Sequence, residues 1–230
     1  MKQYSFSERK FYDLLRDGRA LVYYNEEKAI ETDTHEDGSE ETRTVWRYSR
    51  TIAESASRDD IIAALIRVRY STNDELALSR QKDDKINEYN AYNAYAEWCK
   101  AYARRVLEGD NIETMRAMKI ADVGIYDASE SVNSFSVGNL TTWLSPDRRS
   151  NLKNAVEALV SKGMNTVTFM GFEIPANMAL QMLVTIESYA AICSQVTESH
   201  KAAISELQSE RDIERYDFTV GYPEHPVFEI

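Results

Sequence analysis

Proline appears four times and glycine eight times in 230 residues. That is too little punctuation for a turn-dense β-sandwich or a low-complexity chain, and it predicts long uninterrupted helices. The two cysteines, Cys99 and Cys193, each sit in a helical pattern, so free core thiols of a cytoplasmically made protein are expected and a disulfide scaffold is not. Basic residues are scarce as well. Residues 1–120 hold 20 Lys and Arg against 23 Asp and Glu, residues 121–230 hold 7 against 15, and the net charge is −11. A phosphate backbone or an anionic membrane surface calls for a basic footprint, so neither nucleic acid nor membrane is an expected partner. The apolar-leaning stretch from Ile174 to Ile186 is closed by Glu173 and Glu187, short of the roughly 20 residues of a membrane span. The first ten residues contain no apolar core of a secretory signal.

Chemistry-bearing patterns are equally sparse. His35, His200 and His225 have no second His or Cys at metal-ligand spacing, so no metal is expected. A Gly-x-Ser-x-Gly elbow, a Gly-rich phosphate loop and a dinucleotide fingerprint are missing, and no cofactor and no enzymatic activity are expected. The segment Asp33-x-His35-x-Asp37-Gly38 comes near a calcium loop, but His35 replaces an oxygen ligand and Thr44 stands where the bidentate Glu belongs. The run Glu26 to Glu41, with eight acids and one Lys, therefore reads as a solvated loop whose Asp37-Gly38 turn can close an extended hairpin.

What is present predicts an α+β fold, mainly helical with small β elements. A short helix is expected after Ser7 within residues 4–17, and two strands of a small N-terminal sheet at 19–24 and 43–50. Ser57, Asp59 and Asp60 open a helix over 58–69. Thr72-Asn73-Asp74-Glu75 reads as a capping box, and the absence of Gly and Pro up to Gly109 predicts one helix over 73–107, about 50 Å long at 1.5 Å per residue. A composition shift over 109–138 places a domain boundary near residue 115, separating 1–115 from 116–230. Val132, Phe135 and Val137 suggest a strand leading to Leu140–Leu144. Ser145-Pro146-Asp147 starts a helix ending at Gly163, Gly171 sits in a C-terminal β-hairpin, and a second long helix or a broken pair is expected over 176–208.

Three features carry functional expectations. Tyr89, Tyr92, Tyr95, Trp98 and Tyr102 form an aromatic strip on the first long helix, with Tyr92 and Trp98 as candidate partner contacts; it lacks the basic residues that would make it a base-stacking platform. His200 lies on an apolar helix face and reads as a core histidine bonded to a backbone or tyrosine oxygen. The tail from Tyr216 to Ile230 packs five large apolar groups around Pro223 and Pro226, with Phe218, Tyr222, Pro223 and Phe228 as candidate partner contacts. It either returns to its own domain as an edge strand or inserts into a neighbour.

A set of phrases also carries a resemblance: Tyr126-Asp127-x-Ser129-x-x-Val132-Asn133-x-Phe135, Trp143-Leu144-x-x-x-Arg148, Val167-Thr168-Phe169, Glu187-x-Tyr189-Ala190-x-x-Cys193-x-x-x-Thr197-x-x-His200, and Tyr216-Asp217-x-Thr219-x-Gly221-Tyr222-Pro223. Over about residues 120–230 the chain resembles a domain of unknown function from tailed-bacteriophage structural proteins, associated with tail fibres or their assembly, in a form seen in phages of Bacteroides-like hosts. Other branches carry a Trp where this chain has Thr197 or His200. The resemblance implies a non-enzymatic virion component of the tail, neck or fibre-attachment region. Its expected partners are other phage structural proteins and further copies of itself, assembled in the bacterial host cytoplasm. The alternative it leaves is a fibre-assembly chaperone that is not retained in the particle.

Overall fold

The computed structural model describes the chain apart from residues 1–2, 6, 9, 36–38, 83–84 and 145, with the backbone alone at 4, 146 and 147. Among the described residues it is an α+β fold of nine strands and eight helices. Two compact units divide it: Met1–Leu76 with Cys99–Thr114, and Ala77–Trp98 with Met115–Ile230.

The first unit is built on an antiparallel sheet of β1 (Gln3–Ser5), β2 (Tyr12–Leu14), β3 (Ala20–Thr34) and β4 (Glu40–Ala53) in the order β1-β4-β3-β2. The expected two-stranded sheet is thus four-stranded, and the expected helix within 4–17 is replaced by its two outer strands. Phe11, Leu14 and Leu15 have helical spacing, but so short a pattern yields to the pairing that β3 and β4 offer on either side. β3 also continues through the acidic run read as a loop. Arg43 pairs across the strands with Asp33 at 2.9 Å and Arg47 with Glu31 at 3.4 Å, which offsets the repulsion among the acids. The strand bends once, at a bulge between Tyr24 and Glu27 where Asn25 takes a φ of 52°, a left-handed conformation that Asn tolerates. Of the calcium pattern, Asp33 is committed to Arg43, while Asp37 and Gly38 lie outside the described residues.

Helix α1 (Arg58–Arg67) begins where Ser57 Oγ accepts the Asp60 amide at 3.2 Å, and it buries Ile61, Ala64, Leu65 and Ile66. α2 (Thr72–Arg80) is capped one residue earlier than the sequence suggested: Ser71 Oγ accepts the Asp74 amide, and the Asp74 carboxylate accepts the Ser71 amide at 2.7 Å. The single helix expected over 73–107 is broken, because α3 starts anew and spans Ile86–Glu108. Residues 79–85 contain no apolar side chain and α2 buries none, so no core contact holds a helix through this point. The C-terminal half of α3 supplies Cys99, Tyr102, Ala103 and Val106 to the first unit's core, and the Tyr102 hydroxyl donates to the Tyr23 carbonyl at 2.6 Å.

The second unit takes the other half of α3 and continues with α4 (Ile112–Asp127), whose first three residues belong to the first unit, and α5 (Glu130–Asn133). Strands β5 (Phe135–Val137) and β6 (Leu140–Thr142) follow, then α6 (Pro146–Ser161), β7 (Thr166–Phe169), β8 (Phe172–Pro175), α7 (Ala176–Glu206), α8 (Glu210–Arg215) and β9 (Val227–Phe228). The C-terminal half therefore holds more than the expected hairpin and the strand expected before Leu140. β7 and β8 pair through Met170-Gly171, both with positive φ as a two-residue primed turn demands. A second sheet in the order β6-β5-β9 places β9 parallel to β5. The core gathers Phe135, Val137, Leu144, Val156, Phe169, Ile174, Met182, Leu183 and Ile186. Within it Arg149 is buried, donating to the Leu144 carbonyl at 2.8 Å and to Glu187 at 2.9 Å, a charge that the sequence reading did not single out. No helix among the described residues is long and apolar enough to cross a membrane.

Burial pushes the phenols of Tyr102 and Tyr189 well above the ordinary tyrosine range. A folded-state pKa raised above the unfolded one gives stability that is complete below about pH 10 and is lost as pH rises toward the folded value. Each such phenol steepens the alkaline decline by about 1.4 kcal/mol per pH unit. Tyr102→Phe is expected to cost about 1–3 kcal/mol at neutral pH by orphaning the Tyr23 carbonyl. It is also expected to flatten the decline by one proton. Denaturant melts from about pH 9 to about pH 11 check this, and an unchanged slope contradicts it.

Candidate functional site

The tail is the place where most of the expected contact residues meet. α7 presents one continuous buried face, apolar from Ala176 to Ile186 and then mixed at Tyr189, Cys193, Thr197 and His200. The tail covers the mixed part. The Val220 carbonyl can only accept, so His200 Nε2 carries the ring proton and donates to it at 2.9 Å; in the neutral ring Nδ1 then accepts from the Tyr216 hydroxyl at 2.8 Å. His200 is thus bonded to a backbone and to a tyrosine oxygen together. Thr197 donates to the Asp127 carboxylate at 2.6 Å, which leaves its oxygen to accept from the Tyr222 hydroxyl at 2.9 Å. Burial raises the Tyr222 phenol above its ordinary range.

A second histidine repeats the arrangement further along. His225 Nε2 donates to the Ser131 carbonyl at 2.9 Å, and Nδ1 takes the Ser134 hydroxyl at 3.1 Å. Its ring meets Tyr189 edge-on, 6.0 Å between centroids, and the Tyr189 hydroxyl donates to the Val132 carbonyl at 2.6 Å. Backbone bonds complete the seat, from the Ser136 amide to the Pro226 carbonyl and from the Gly138 amide to the Phe228 carbonyl. Gly138 has φ 57°, and a Cβ there would lie 3.4 Å from Ile230.

The expected contact residues fall into two groups. Phe218 and Tyr222 both pack edge-on against Tyr126, at 5.8 and 5.5 Å, and the Lys119 ammonium lies over Phe218. Phe228 meets Phe135 in the core, and Pro223 is half-buried. Phe218, Tyr222 and Phe228 therefore seat the tail on its own unit, while Val220, Val227 and Ile230 are 56%, 68% and 48% exposed. Tyr92 and Trp98 stand on α3 with other partners: Tyr92 tilts against Tyr89, and Trp98 stacks on Tyr95 and donates its indole N–H to Asp122 at 3.1 Å.

The second unit also carries a cleft of about 740 Å³ between the start of α3, α5 and β6, and a smaller lobe of about 220 Å³ beside it. Trp143 and Ala128 line both. The sequence reading gave none of its α3 residues a binding role, because the cleft is assembled from segments far apart in the chain. Among the described residues no group of His, Cys, Asp and Glu is arranged to hold a metal ion. Compared with protein-family models, curated proteins and solved structures, the chain matches none.

The two hydrogen bonds by which His200 latches the tail make it a stability determinant. His200→Ala leaves the Tyr216 hydroxyl and the Val220 carbonyl unpaired, for an expected loss of about 2–3 kcal/mol. In a chain of this size that lowers the melting temperature by about 5–10 °C. Calorimetry on the full chain checks this, and a shift below about 2 °C contradicts the latch.

Proposed function

We propose that the chain is a non-enzymatic structural component of a tailed-phage virion, in the tail, neck or fibre-attachment region, acting through repeated protein contacts in a symmetric assembly. The reading rests on the resemblance of residues 120–230, and one structural observation supports it most. Ile30–Thr34 of β3 and Glu40–Thr44 of β4 pair only with each other among the described residues, forming a two-stranded ribbon about 17 Å long at 3.4 Å per residue. Ile30 on it is 73% exposed. A lone ribbon is marginal in water and offers unpaired edges to a neighbour. Repetition by symmetry then lets a weak contact act many times.

Its partners under this reading are further copies of the chain and other phage structural proteins, and its location is the virion after assembly in the host cytoplasm. Mass spectrometry of particles purified from a lysing strain that carries the gene is expected to find the chain at fixed copy number. Its presence in the lysate and absence from particles would instead mark an assembly chaperone. Replacing residues 30–44 by a two-residue turn is expected to leave the chain folded and to abolish incorporation into particles.

A further inference from the structure

We propose that the Trp143 cleft of the second unit binds a neutral saccharide. This rests on the cleft's own chemistry and is independent of the virion reading. Its volume, about 740 Å³ with the 220 Å³ lobe alongside, suits a ligand of two or three sugar rings.

The charge of the lining decides the ligand class first. Glu88, Glu130 and Asp127 face the two lobes, and no Lys or Arg lines either among the described residues. Phosphates, nucleotides and acidic sugars are therefore disfavoured. The lining is nevertheless too polar for a purely apolar guest. What remains is a neutral ligand rich in groups that both donate and accept.

The hydrogen-bonding capacity of the lining points the same way. Part of the wall is already committed: Asp127 accepts from Thr197, Ser129 donates to the Tyr126 carbonyl, Asn133 donates to the Asp127 and Ser129 carbonyls, and Ser134 bonds to His225. The opposite wall, from α3, is not. The side chains of Asn87, Glu88 and Asn90 have no partner among the described residues, and Asn87 Oδ1 is a buried acceptor left without a hydrogen bond. A buried orphan acceptor is costly, and a ligand hydroxyl that donates to it would remove that cost. Amides present donor and acceptor side by side and carboxylates accept from two neighbouring hydroxyls, which matches the vicinal diols of a sugar. The half-buried Trp143 indole supplies an electron-rich face for the C–H side of a pyranose ring.

The test is calorimetric titration of the full chain with maltotriose, cellotriose, mannotriose and triacetylchitotriose, after screening on an array of neutral glycans. At least one is expected to bind with Kd of about 0.1–1 mM. Trp143→Ala is expected to weaken it more than about tenfold and Asn87→Ala about fivefold. Because Trp143→Ala risks the fold, Gly124→Leu provides a second variant: Gly124 lines the small lobe and a Cβ there meets nothing within 4 Å, so a Leu side chain has room to start into the lobe. It is expected to weaken binding without lowering the melting temperature. Binding of no glycan on the array overturns the proposal, as does binding that both Trp143→Ala and Gly124→Leu leave unchanged. Binding of an oligolysine peptide in place of the sugars also overturns it and reassigns the cleft to cationic peptides.

Discussion

The second unit depends on the buried face of α7, because that helix is about 46 Å long at 1.5 Å per residue and its ten buried positions meet different chemistry at its two ends. From Ala176 to Ile186 the face is apolar and needs only close packing, which Phe135, Phe169 and Ile174 provide. From Tyr189 to His200 it carries two hydroxyls and an imidazole, which are costly to bury unpaired. Each has its partner on another segment: Val132, Asp127, Val220 and Tyr216. The tail is therefore an integral layer of the unit, since Val220 and Tyr216 both belong to it and both bond His200.

The same contrast explains what was legible in the sequence. The α7 face could be read because a 3.6-residue period persists across a long stretch without Gly or Pro, and His200 could be read because an imidazole on an apolar face has few ways to be satisfied. The general α+β character followed from composition. The outer strands β1 and β2 are three residues each and took their conformation from neighbours, so no local period could reveal them. The inner parts of β3 and β4 were legible as strands at 19–24 and 43–50, but their extension through the acidic run was hidden by its own acids, whose cross-strand arginines become evident only once the register is known. β9 is two residues long and pairs with a strand about ninety positions earlier, a relation that no window along the chain contains.

Arg149 shows a further limit of local reading. In sequence it is one of two adjacent arginines at the start of α6, and nothing local separates it from Arg148. In the fold its guanidinium is buried, bridging the Leu144 carbonyl to Glu187 on α7, and so ties the entry of α6 to the central helix. A buried charge held by two partners contributes more to where elements sit than to net stability, since desolvation offsets much of the attraction.

The tail seat and the cleft share residues, and this constrains how the cleft can work. Asp127 accepts from Thr197 on α7, which also bonds Tyr222 of the tail, and Ser134 bonds His225 of the tail, yet both Asp127 and Ser134 also line the cleft. Groups already bonded in this way offer a ligand little beyond shape and a fixed charge. The adjustable contacts must come from the α3 side, where Asn87, Glu88 and Asn90 lie within one helical turn, and from Trp143. One wall is therefore committed to internal hydrogen bonds, while the polar side chains of the other have none among the described residues. That division holds a binding geometry in place while leaving the polar side chains able to adapt to a guest.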